Sequence, residues 1–317
     1  MGFVPGYLRL HPLGTLAQRA IDAQDTLNNC NLCGWSCDID RRHSLGPCRT
    51  GTDAIVATSY LHLGEERPLV AGGGSGAIFF ALCDMRCQFC QTSRWNIKGQ
   101  GQPMSPRELG GLMLDLQREG AANINLVTPT HVAPQIVAAV SLAAEEGLRI
   151  PLVWNSGGYD SPQTLRLLDG IVDIYLPDMK YSVEQTARTL SVVPDYPVVN
   201  RRAVKEMFRQ VGHLQIDDQG RARRGLIVRH LVMPGMPDNT AGVLRWLAKT
   251  LGPHTYLSLM DQYRPAYRAF ARHGLNRSLR PDEFAQAHAL ALSLGLKRLD
   301  EHLVLGAASL GGEATHD

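Results

Sequence analysis

The sequence predicts an α/β protein built around a parallel sheet. Six short apolar runs alternate with stretches of helical spacing between residues 71 and 259 of the 317-residue chain. Strands that are separated by helices join through right-handed crossovers, which gives either an open doubly wound sheet or an incomplete barrel. A content of 44% hydrophobic and 20% charged residues is typical of a globular protein and allows one large domain with an appendage.

Each predicted strand is a short apolar run bounded by glycine, proline or polar residues. The first run follows a glycine-rich turn and ends directly on a cysteine. The six predicted strands span residues 71–82, 124–127, 151–154, 171–176, 225–232 and 255–259.

Helices are predicted in the intervals, where apolar residues recur on one face. Ser105 and Pro106 begin the first of them, and Gly120 ends it. The predicted helices span residues 106–120, 134–146, 162–168, 183–190, 202–211, 240–251 and 281–294. The final segment GAASLGGEATHD, residues 306–317, is expected to be disordered.

The charge and the apolar runs restrict the class of partner. Lys and Arg number 32 and Asp and Glu number 30, so the net charge is +2, which indicates neither a nucleic-acid nor a membrane surface. No apolar run approaches the roughly 18 residues of a spanning helix. The first residues lack the basic segment followed by an apolar segment that is typical of an export signal. We therefore expect a cytoplasmic protein.

Seven cysteines fall into two groups with none left over. An odd number of cysteines without an export signal argues against a disulfide framework. The partition instead predicts two metal sites. One group has the spacing CxxxCxxC and the other CxxCx3Cx10C; they are Cys83, Cys87 and Cys90, and Cys30, Cys33, Cys37 and Cys48.

The three-cysteine loop CDMRCQFC is suited to a [4Fe-4S] cluster, because closely spaced thiolates can wrap one corner of the cube. Three thiolates hold three irons, so the fourth iron is open to a substrate or cofactor. The loop follows a strand, at the carboxyl end of a parallel sheet, where α/β folds place their sites. The alternative is buried or zinc-binding cysteines, but the motif lacks the fourth ligand that zinc usually has.

The four-cysteine group also indicates a metal. Its thiolates could hold structural zinc or a second [4Fe-4S] cluster in which every iron is saturated. The spacing alone leaves both open.

The triad, with the aromatic Phe89 before its last cysteine, resembles the core motif of radical S-adenosylmethionine enzymes. The segments GGGSGAIFF, CQFCQ, VTPTH, WNSGGYDS, DIYLPDMKY, VRHLVMPG and LMDQYRP follow in order. Together they resemble the uncharacterised branch related to the pyruvate formate-lyase activating enzyme, over about residues 28–300.

The resemblance implies a partial (β/α)6 TIM-like barrel that binds S-adenosylmethionine at the open iron. Reductive cleavage would give a 5′-deoxyadenosyl radical, which abstracts hydrogen from a substrate. That substrate is a glycine of a partner enzyme in the characterised relatives, with a peptide or small molecule as the alternatives. A flavodoxin or ferredoxin is the expected reductant. For the four-cysteine group the resemblance favours a second [4Fe-4S] cluster over zinc.

We divide the chain accordingly into three parts. Residues 1–70 form a cysteine-rich extension, residues 71–265 form the core barrel, and residues 266–317 form a C-terminal helix and tail.

The resemblance also implies contacts to the cofactor at the strand ends, beginning with Phe89. The family binds the methionine amine at the position of VTPTH, which contains Thr128, Thr130 and His131. The common GGE sequence is absent here. The structural alternative is a loop with an N-cap threonine. Asn155 replaces an aspartate of the related enzymes, which puts their monovalent cation in doubt.

Further contacts are expected from Ser156, beside Asn155, and from the later strands. Asp178 and Lys180 follow the fourth strand, with a structural ion pair as the alternative. Arg229 lies within the apolar fifth strand and needs an anionic partner, for which the cofactor carboxylate is the candidate. His230, on the opposite face, is expected to be a packed histidine. Gln262 and its neighbour Tyr263 complete the set.

Two other classes of protein also fit the cysteines. An iron–sulfur electron carrier would need no open iron and no S-adenosylmethionine. A zinc-stabilised interaction module would require zinc in both groups.

Overall fold

A ten-stranded sheet forms the centre of the computed structural model, which describes residues 3–300. The strands are β1 (Ala54–His62), β2 (Ser75–Phe80), β3 (Gln102–Met104), β4 (Ile124–Val127), β5 (Leu152–Ser156), β6 (Ile174–Pro177), β7 (Gln215–Ile216), β8 (Ala222–Leu231), β9 (Tyr256–Met260) and β10 (Arg298–Leu299).

Six of these strands are parallel and lie side by side in their chain order, β2-β4-β5-β6-β8-β9. A doubly wound sheet reverses its order at a switch point, whereas a barrel adds each strand to the same edge. The uninterrupted order therefore selects the incomplete barrel of the two predicted alternatives. β1 and β3 extend one edge as antiparallel strands, and β10 extends the other. The prediction of a partial barrel is confirmed.

Helices connect the strands and cover the sheet. Within residues 3–300 they are α1 (Gly6–Leu10), α2 (Thr15–Asp25), α3 (Arg67–Val70), α4 (Ser93–Asn96), α5 (Pro106–Arg118), α6 (Ala133–Glu145), α7 (Pro162–Leu168), α8 (Glu184–Ser191), α9 (Tyr196–Val211), α10 (Pro237–Thr250) and α11 (Pro281–Ser293). Short 3-10 helices lie at His11–Leu13, Thr26–Asn28, Thr130–Val132 and Tyr267–Ala271.

Side-chain hydrogen bonds explain why two of the helices begin where the sequence predicts. At α5, the Glu108 amide donates to the Ser105 hydroxyl at 3.3 Å, and the Ser105 amide donates to the Glu108 carboxylate at 2.8 Å. This reciprocal pair is a capping box, which satisfies amides that have no partner inside the helix. At α7, the Thr164 amide donates to the Ser161 hydroxyl at 3.1 Å.

All seven predicted helices are present, and only α9 has a substantially different start. It begins at Tyr196, six residues before the predicted start at 202. Pro197 lies in its first turn, where proline is favoured. Asp195 precedes the helix with a φ of 53° and turns the chain into it.

Helix α3, which no predicted helix matches, fills the barrel interior at the amino ends of the strands. Its Leu69 packs with Val153 of β5 and Ile227 of β8. Val228, the next residue of β8, belongs instead to the core between the sheet and the outer helices. Side chains of a strand alternate between the two faces of the sheet, so this pattern identifies the inward face. Asn123, just before β4, donates to the Leu69 carbonyl at 2.7 Å. α3 therefore plugs the barrel at the amino ends of the strands.

The amino-terminal segment packs on the same end of the barrel. Helices α1 and α2 contact α6. The Gly6 amide donates to the Asp173 carboxylate at 2.8 Å, and the Tyr7 hydroxyl donates to the Ile150 carbonyl at 3.0 Å. Residues of the predicted extension thus cover the barrel and, through β1, enlarge its sheet, while the division at residues 70 and 265 stays a prediction.

The remaining expectations concern a disordered tail and the absence of a membrane-spanning helix. The tail predicted to be disordered, residues 306–317, lies outside the described residues. In the part of the chain that the structure covers, no helix combines the length and the apolar character that crossing a membrane requires.

Candidate functional site

A cavity of about 280 Å³ opens at the carboxyl ends of the parallel strands. Its walls combine the loop after β2 with the ends of β4, β5, β6 and β8. The lining residues are Cys83, Met85, Cys87, Phe89, Cys90, Gln91, Thr92, Asn96, Val127, Thr128, Asn155, Ser156, Gly157, Asp178, Lys180, Arg229 and Leu231. A barrel of this type carries its site at this end.

The three cysteines of the loop after β2 all line the cavity, and each sulfur has a polar neighbour. The Met85 amide donates to the Cys83 sulfur at 3.3 Å, and the Ser191 hydroxyl donates to the Cys87 sulfur at 3.0 Å. The Cys90 sulfur lies 3.6 Å from the Thr92 hydroxyl. Hydrogen-bond donors around thiolate sulfurs stabilise their negative charge and adjust the reduction potential of a cluster that they ligate.

Burial favours the neutral form of these thiols when no cation is bound. It raises the pKa of Cys87 to about 11, against the lowering effect of the Lys180 charge. The pKa of Cys83 also lies well above its usual value, through burial and the nearby Asp84 carboxyl. A coordinated metal reverses this preference, because a ligating thiol loses its proton.

Within residues 3–300, no group of three or more His, Cys, Asp or Glu side chains converges closely enough to hold a single metal ion. The thiolates of a [4Fe-4S] cluster are bound to different irons and need not meet at one point. The cavity-lining triad with its sulfur donors fits such a cluster by its chemistry.

Asn155 lines the cavity and carries an unsatisfied hydrogen-bond donor. Its side-chain oxygen accepts from Arg229 at 3.4 Å, but its buried Nδ2 has no hydrogen-bond partner among the described residues. A buried polar group without a partner is costly, so a ligand that accepts from it would be stabilised there. The neighbouring Ser156 hydroxyl is already engaged and donates to Asp160 at 2.6 Å.

The loops after β4, β5 and β6 bring further predicted residues to the cavity. Thr128 adopts a φ of 61°, unusual for threonine, and accepts from Asn96 at 3.5 Å. Lys180 donates to the Asp178 carboxylate. Gly158 has a φ of 68°, and a Cβ there would lie 2.4 Å from the Asp178 carbonyl oxygen, so this close approach of two loops requires glycine.

Thr130, His131 and Gln262 lie outside the cavity, so their predicted cofactor contacts find no support in this geometry. The buried Thr130 hydroxyl donates to Asp160 at 2.8 Å. His131 Nε2 lies 2.9 Å from the Ala81 carbonyl oxygen, and burial lowers the pKa of His131 to about 4. Gln262 is exposed and contacts the Met260 sulfur. Thr130 and His131 are committed to structural bonds behind the strand ends.

Phe89 lines the cavity and packs against Tyr263, with 6.1 Å between the ring centroids. The Tyr263 hydroxyl donates to the Leu275 carbonyl at 2.8 Å. Tyr263 therefore contacts Phe89 but is not part of the cavity wall.

Arg229 points into the barrel, as strand alternation predicts, but its anionic partners come from the protein. Its Nε and Nη2 donate to the two Glu66 oxygens at 2.6 and 2.7 Å, and Nη2 also contacts Glu65. Glu66 is fully buried. The expectation that a cofactor carboxylate supplies the counter-charge is corrected: the two glutamates at the start of α3 supply it.

The four-cysteine group lies next to the cavity loop. Cys30, Cys33 and Cys48 are buried and Cys37 is half-buried. The Cys33 side chain packs among Met85 and other residues of the apolar cluster that Cys83 and Cys87 also contact.

Two backbone contacts fix this arrangement. The Gly34 amide donates to the Tyr159 carbonyl at 2.9 Å, and the Trp35 indole donates to the Asp84 carbonyl at 2.7 Å. Asp84 follows Cys83, so the two cysteine loops are anchored to each other. Burial, with the charges of Cys30 and Cys48 beside it, raises the pKa of Cys37 to about 11.

Replacing Arg229 by leucine would leave the buried Glu66 without its counter-charge. We expect Arg229→Leu to lower the free energy of unfolding by about 3–5 kcal/mol, the usual cost of breaking a buried pair on one side. Urea unfolding measures it, with Arg245→Leu, at an exposed position of α10, as a control that stays within about 0.5 kcal/mol. A loss below about 1 kcal/mol for Arg229→Leu would contradict the assignment.

His230 makes the stability depend on pH. The ring is buried, with Nδ1 2.7 Å from the Met179 carbonyl oxygen and Nε2 3.0 Å from the Thr240 hydroxyl. Burial lowers the pKa of His230 to about 4. An unfolded histidine titrates near pH 6.5, so between pH 6.5 and 4 acid protonates the unfolded chain first and favours unfolding.

Relative to His230→Asn, the wild type should therefore lose up to about 1.4 kcal/mol per pH unit as the pH falls through this window. Unfolding curves of both proteins between pH 4 and 8 test this. A difference between the two proteins that does not vary with pH would show that His230 is not held neutral.

Comparison with known proteins adds a family assignment. No family model matches the chain. Among solved structures, the fold is similar to that of Streptococcus suis SuiB bound to S-adenosylmethionine, with a TM-score of 0.47 and 10% identity. The aligned region covers 69% of this chain and 47% of SuiB, so this chain spans less than half of that protein.

The FeFe-hydrogenase maturase HydG from Carboxydothermus hydrogenoformans gives a TM-score of 0.47 at 14% identity, over 92% of this chain and 66% of HydG. These scores are too low to carry function, which has to be argued from the residues of this chain.

A sequence relative is much more similar. The uncharacterised protein MJ0674 of Methanocaldococcus jannaschii is 32% identical over 281 residues, which cover 85% of this chain and 76% of the relative. Identity at this level over most of both sequences establishes common descent, and the chain belongs to the same family as MJ0674.

Proposed function

We propose that this protein is a radical S-adenosylmethionine enzyme. The observation that carries the proposal is that Cys83, Cys87 and Cys90 line the same cavity as the unsatisfied amide of Asn155. When bound and reduced, a [4Fe-4S] cluster on these thiolates would supply the electron that cleaves S-adenosylmethionine to methionine and a 5′-deoxyadenosyl radical, which takes hydrogen from a substrate.

The polar groups opposite the cysteines suit a ligand of amino-acid type. Asn155 Nδ2 can donate to a carboxylate or a ribose hydroxyl, and Asp178 can accept from an ammonium group. Glu65 and Glu66 together carry one more negative charge than Arg229 neutralises. That excess favours the sulfonium and ammonium charges of S-adenosylmethionine.

An electron carrier without S-adenosylmethionine is the second candidate. A carrier requires a cluster whose irons are all ligated by the protein, as in ferredoxins. The loop offers three thiolates and faces a cavity that is also lined by Asn155 with its unsatisfied amide, which such a protein would not need. The enzyme is therefore favoured.

Finer assignments rest on the sequence resemblance. It supports a glycine of a partner enzyme as the hydrogen donor, as in the pyruvate formate-lyase activating enzyme, and a flavodoxin or ferredoxin as the reductant. It also supports a second [4Fe-4S] cluster on Cys30, Cys33, Cys37 and Cys48, for which zinc is the alternative.

Cleavage of S-adenosylmethionine tests the proposal directly. Protein reconstituted with iron and sulfide without oxygen, then given dithionite and S-adenosylmethionine, is expected to release 5′-deoxyadenosine, and Cys87→Ala is expected to release none because one cluster ligand is lost. Chromatography measures the product.

Iron and zinc analysis of the same samples assigns the four-cysteine group. Wild-type protein with a full iron content that forms no 5′-deoxyadenosine would refute the enzyme proposal. Zinc that persists in Cys87→Ala and is lost in Cys33→Ala would assign that group to zinc.

Asn155→Ala is expected to weaken S-adenosylmethionine binding about tenfold, since a buried hydrogen bond to a charged group contributes about 1.5 kcal/mol. The visible absorbance of the cluster should be unchanged. Equilibrium binding measures the affinity, and Gln262→Ala, outside the cavity, is the matched control. Equal affinities of Asn155→Ala and wild type would exclude the amide as a contact.

A further inference from the structure

A second cavity, of about 330 Å³, lies beside the cysteine loop and shares no lining residue with the first. We call it the arginine cavity. It is lined by Arg49, Arg86, Gln88, Ile97, Val192, Tyr267 and Arg268.

The arginine cavity concentrates positive charge that the protein does not neutralise. Arg49, Arg86 and Arg268 are exposed, and among residues 3–300 none of them has an acidic side chain within ion-pair distance. Arg49 donates to the Ile97 carbonyl, and Arg86 donates to the Pro47 carbonyl at 2.6 Å. These bonds hold the two guanidinium groups in place while leaving other N–H donors free for an anionic partner.

Strained backbone converges on the same cavity. Arg49, Val192 and Tyr267 have φ values of 59°, 57° and 52°. Residues with a Cβ seldom adopt this conformation, and the β-branched valine and the bulky tyrosine least of all. Strain of this kind persists where surrounding structure enforces it, and it concentrates at functional surfaces.

The wall of the arginine cavity is continuous with a cysteine of the triad. Arg86 precedes Cys87 in the chain, and its amide donates to the Ser191 carbonyl at 3.0 Å. The Ser191 hydroxyl donates to the Cys87 sulfur at 3.0 Å, and Val192 is the next residue. A partner seated on this surface would lie close to the cluster without entering the cavity proposed for S-adenosylmethionine.

An exposed apolar side chain in the wall of the arginine cavity, and a second one close to Arg268 in the chain, favour a protein partner over a small anion. Val192 is 45% exposed, and Phe270, in the same 3-10 helix as Arg268, is 66% exposed. Arginine and aromatic side chains are enriched at protein interfaces, and exposed charges of one sign steer an oppositely charged partner.

We infer that the arginine cavity is the docking surface of an acidic one-electron donor protein. The inference rests on the proposed function, because the electron is destined for the cluster on Cys83, Cys87 and Cys90. In the step the donor is oxidised by one electron and the cluster is reduced by one, with no bond made or broken and no proton transferred.

The test compares two reductants on one variant. In Arg49→Gln/Arg268→Gln, with the cluster loaded, we expect kcat/KM for an acidic reduced flavodoxin to fall about tenfold at low salt and to lose most of its salt dependence. 5′-Deoxyadenosine formation with dithionite should stay within about twofold of wild type. Arg245→Gln/Lys249→Gln, on the exposed face of α10, makes the same change in charge and is the control.

Unchanged flavodoxin kinetics, or an equal loss with dithionite, would overturn the docking surface. Arg268→Glu is a second variant, remote in sequence from the cysteines, and should lower flavodoxin-driven turnover more than dithionite-driven turnover. Failure of the proposed function is distinguishable, since wild type would then yield no 5′-deoxyadenosine with either reductant. Binding of flavodoxin to the wild type and to Arg49→Gln/Arg268→Gln would still test the surface in that case, and equal affinities would overturn it.

Discussion

The buried contact between Arg229 and Glu66 joins two parts of an unclosed barrel across its interior. Arg229 comes from β8, and Glu66 immediately precedes α3, the helix that plugs the amino ends of the strands. In a closed barrel, hydrogen bonds continue around the whole sheet and hold it together, and inward-facing side chains fill the interior. This barrel instead has an ion pair between plug and strand, above the apolar packing of Leu69. The cavity lies above that layer, so the position of its floor depends on this pair.

A second constraint on the site is the contact between the two cysteine loops, each of which restricts the position of the other. Trp35 bonds to the backbone at Asp84, and Gly34 bonds to Tyr159 on the β5 side of the barrel. The four-cysteine loop is therefore a wall of the site region rather than a remote appendage. Anything that orders this loop also restricts the backbone next to Cys83. A metal bound by the four-cysteine group would therefore stabilise the conformation of the three-cysteine loop.

The order of the six parallel strands and of helices α5 to α11 could be predicted because it depends on local patterns. Each parallel strand is an apolar run, and the helix starts carry Ser and Pro signals that the structure satisfies with hydrogen bonds. The inward direction of Arg229 follows from strand alternation. Its partner could not be predicted, because Glu66 is 163 residues away in sequence and only the folded plug brings it to β8.

At the strand ends, too, the sequence could not show which neighbouring residues face the cavity. Thr128, with its positive φ, lies at the cavity, whereas Thr130 and His131 have turned into the 3-10 helix behind it. One tight turn separates a cavity residue from a structural one, and sequence spacing carries no signal of that turn. The signal that was available lay elsewhere: consecutive glutamates before a short apolar segment can supply the charge that a buried arginine needs.

The open sheet has a last consequence, for solubility. A barrel that does not close retains two edges, and an edge strand presents unpaired backbone groups to which another chain can add a strand. Here the terminal strands β3 and β10 are only three and two residues long. Pro103 in β3 has no amide hydrogen to offer, and Arg298 places a charge on β10. Short strands with a proline or a charge resist edge-to-edge pairing at β3 and β10. Residues 57–62 of β1 run past β3 and have no strand on that side among residues 3–300, so this stretch of the edge lacks the same protection.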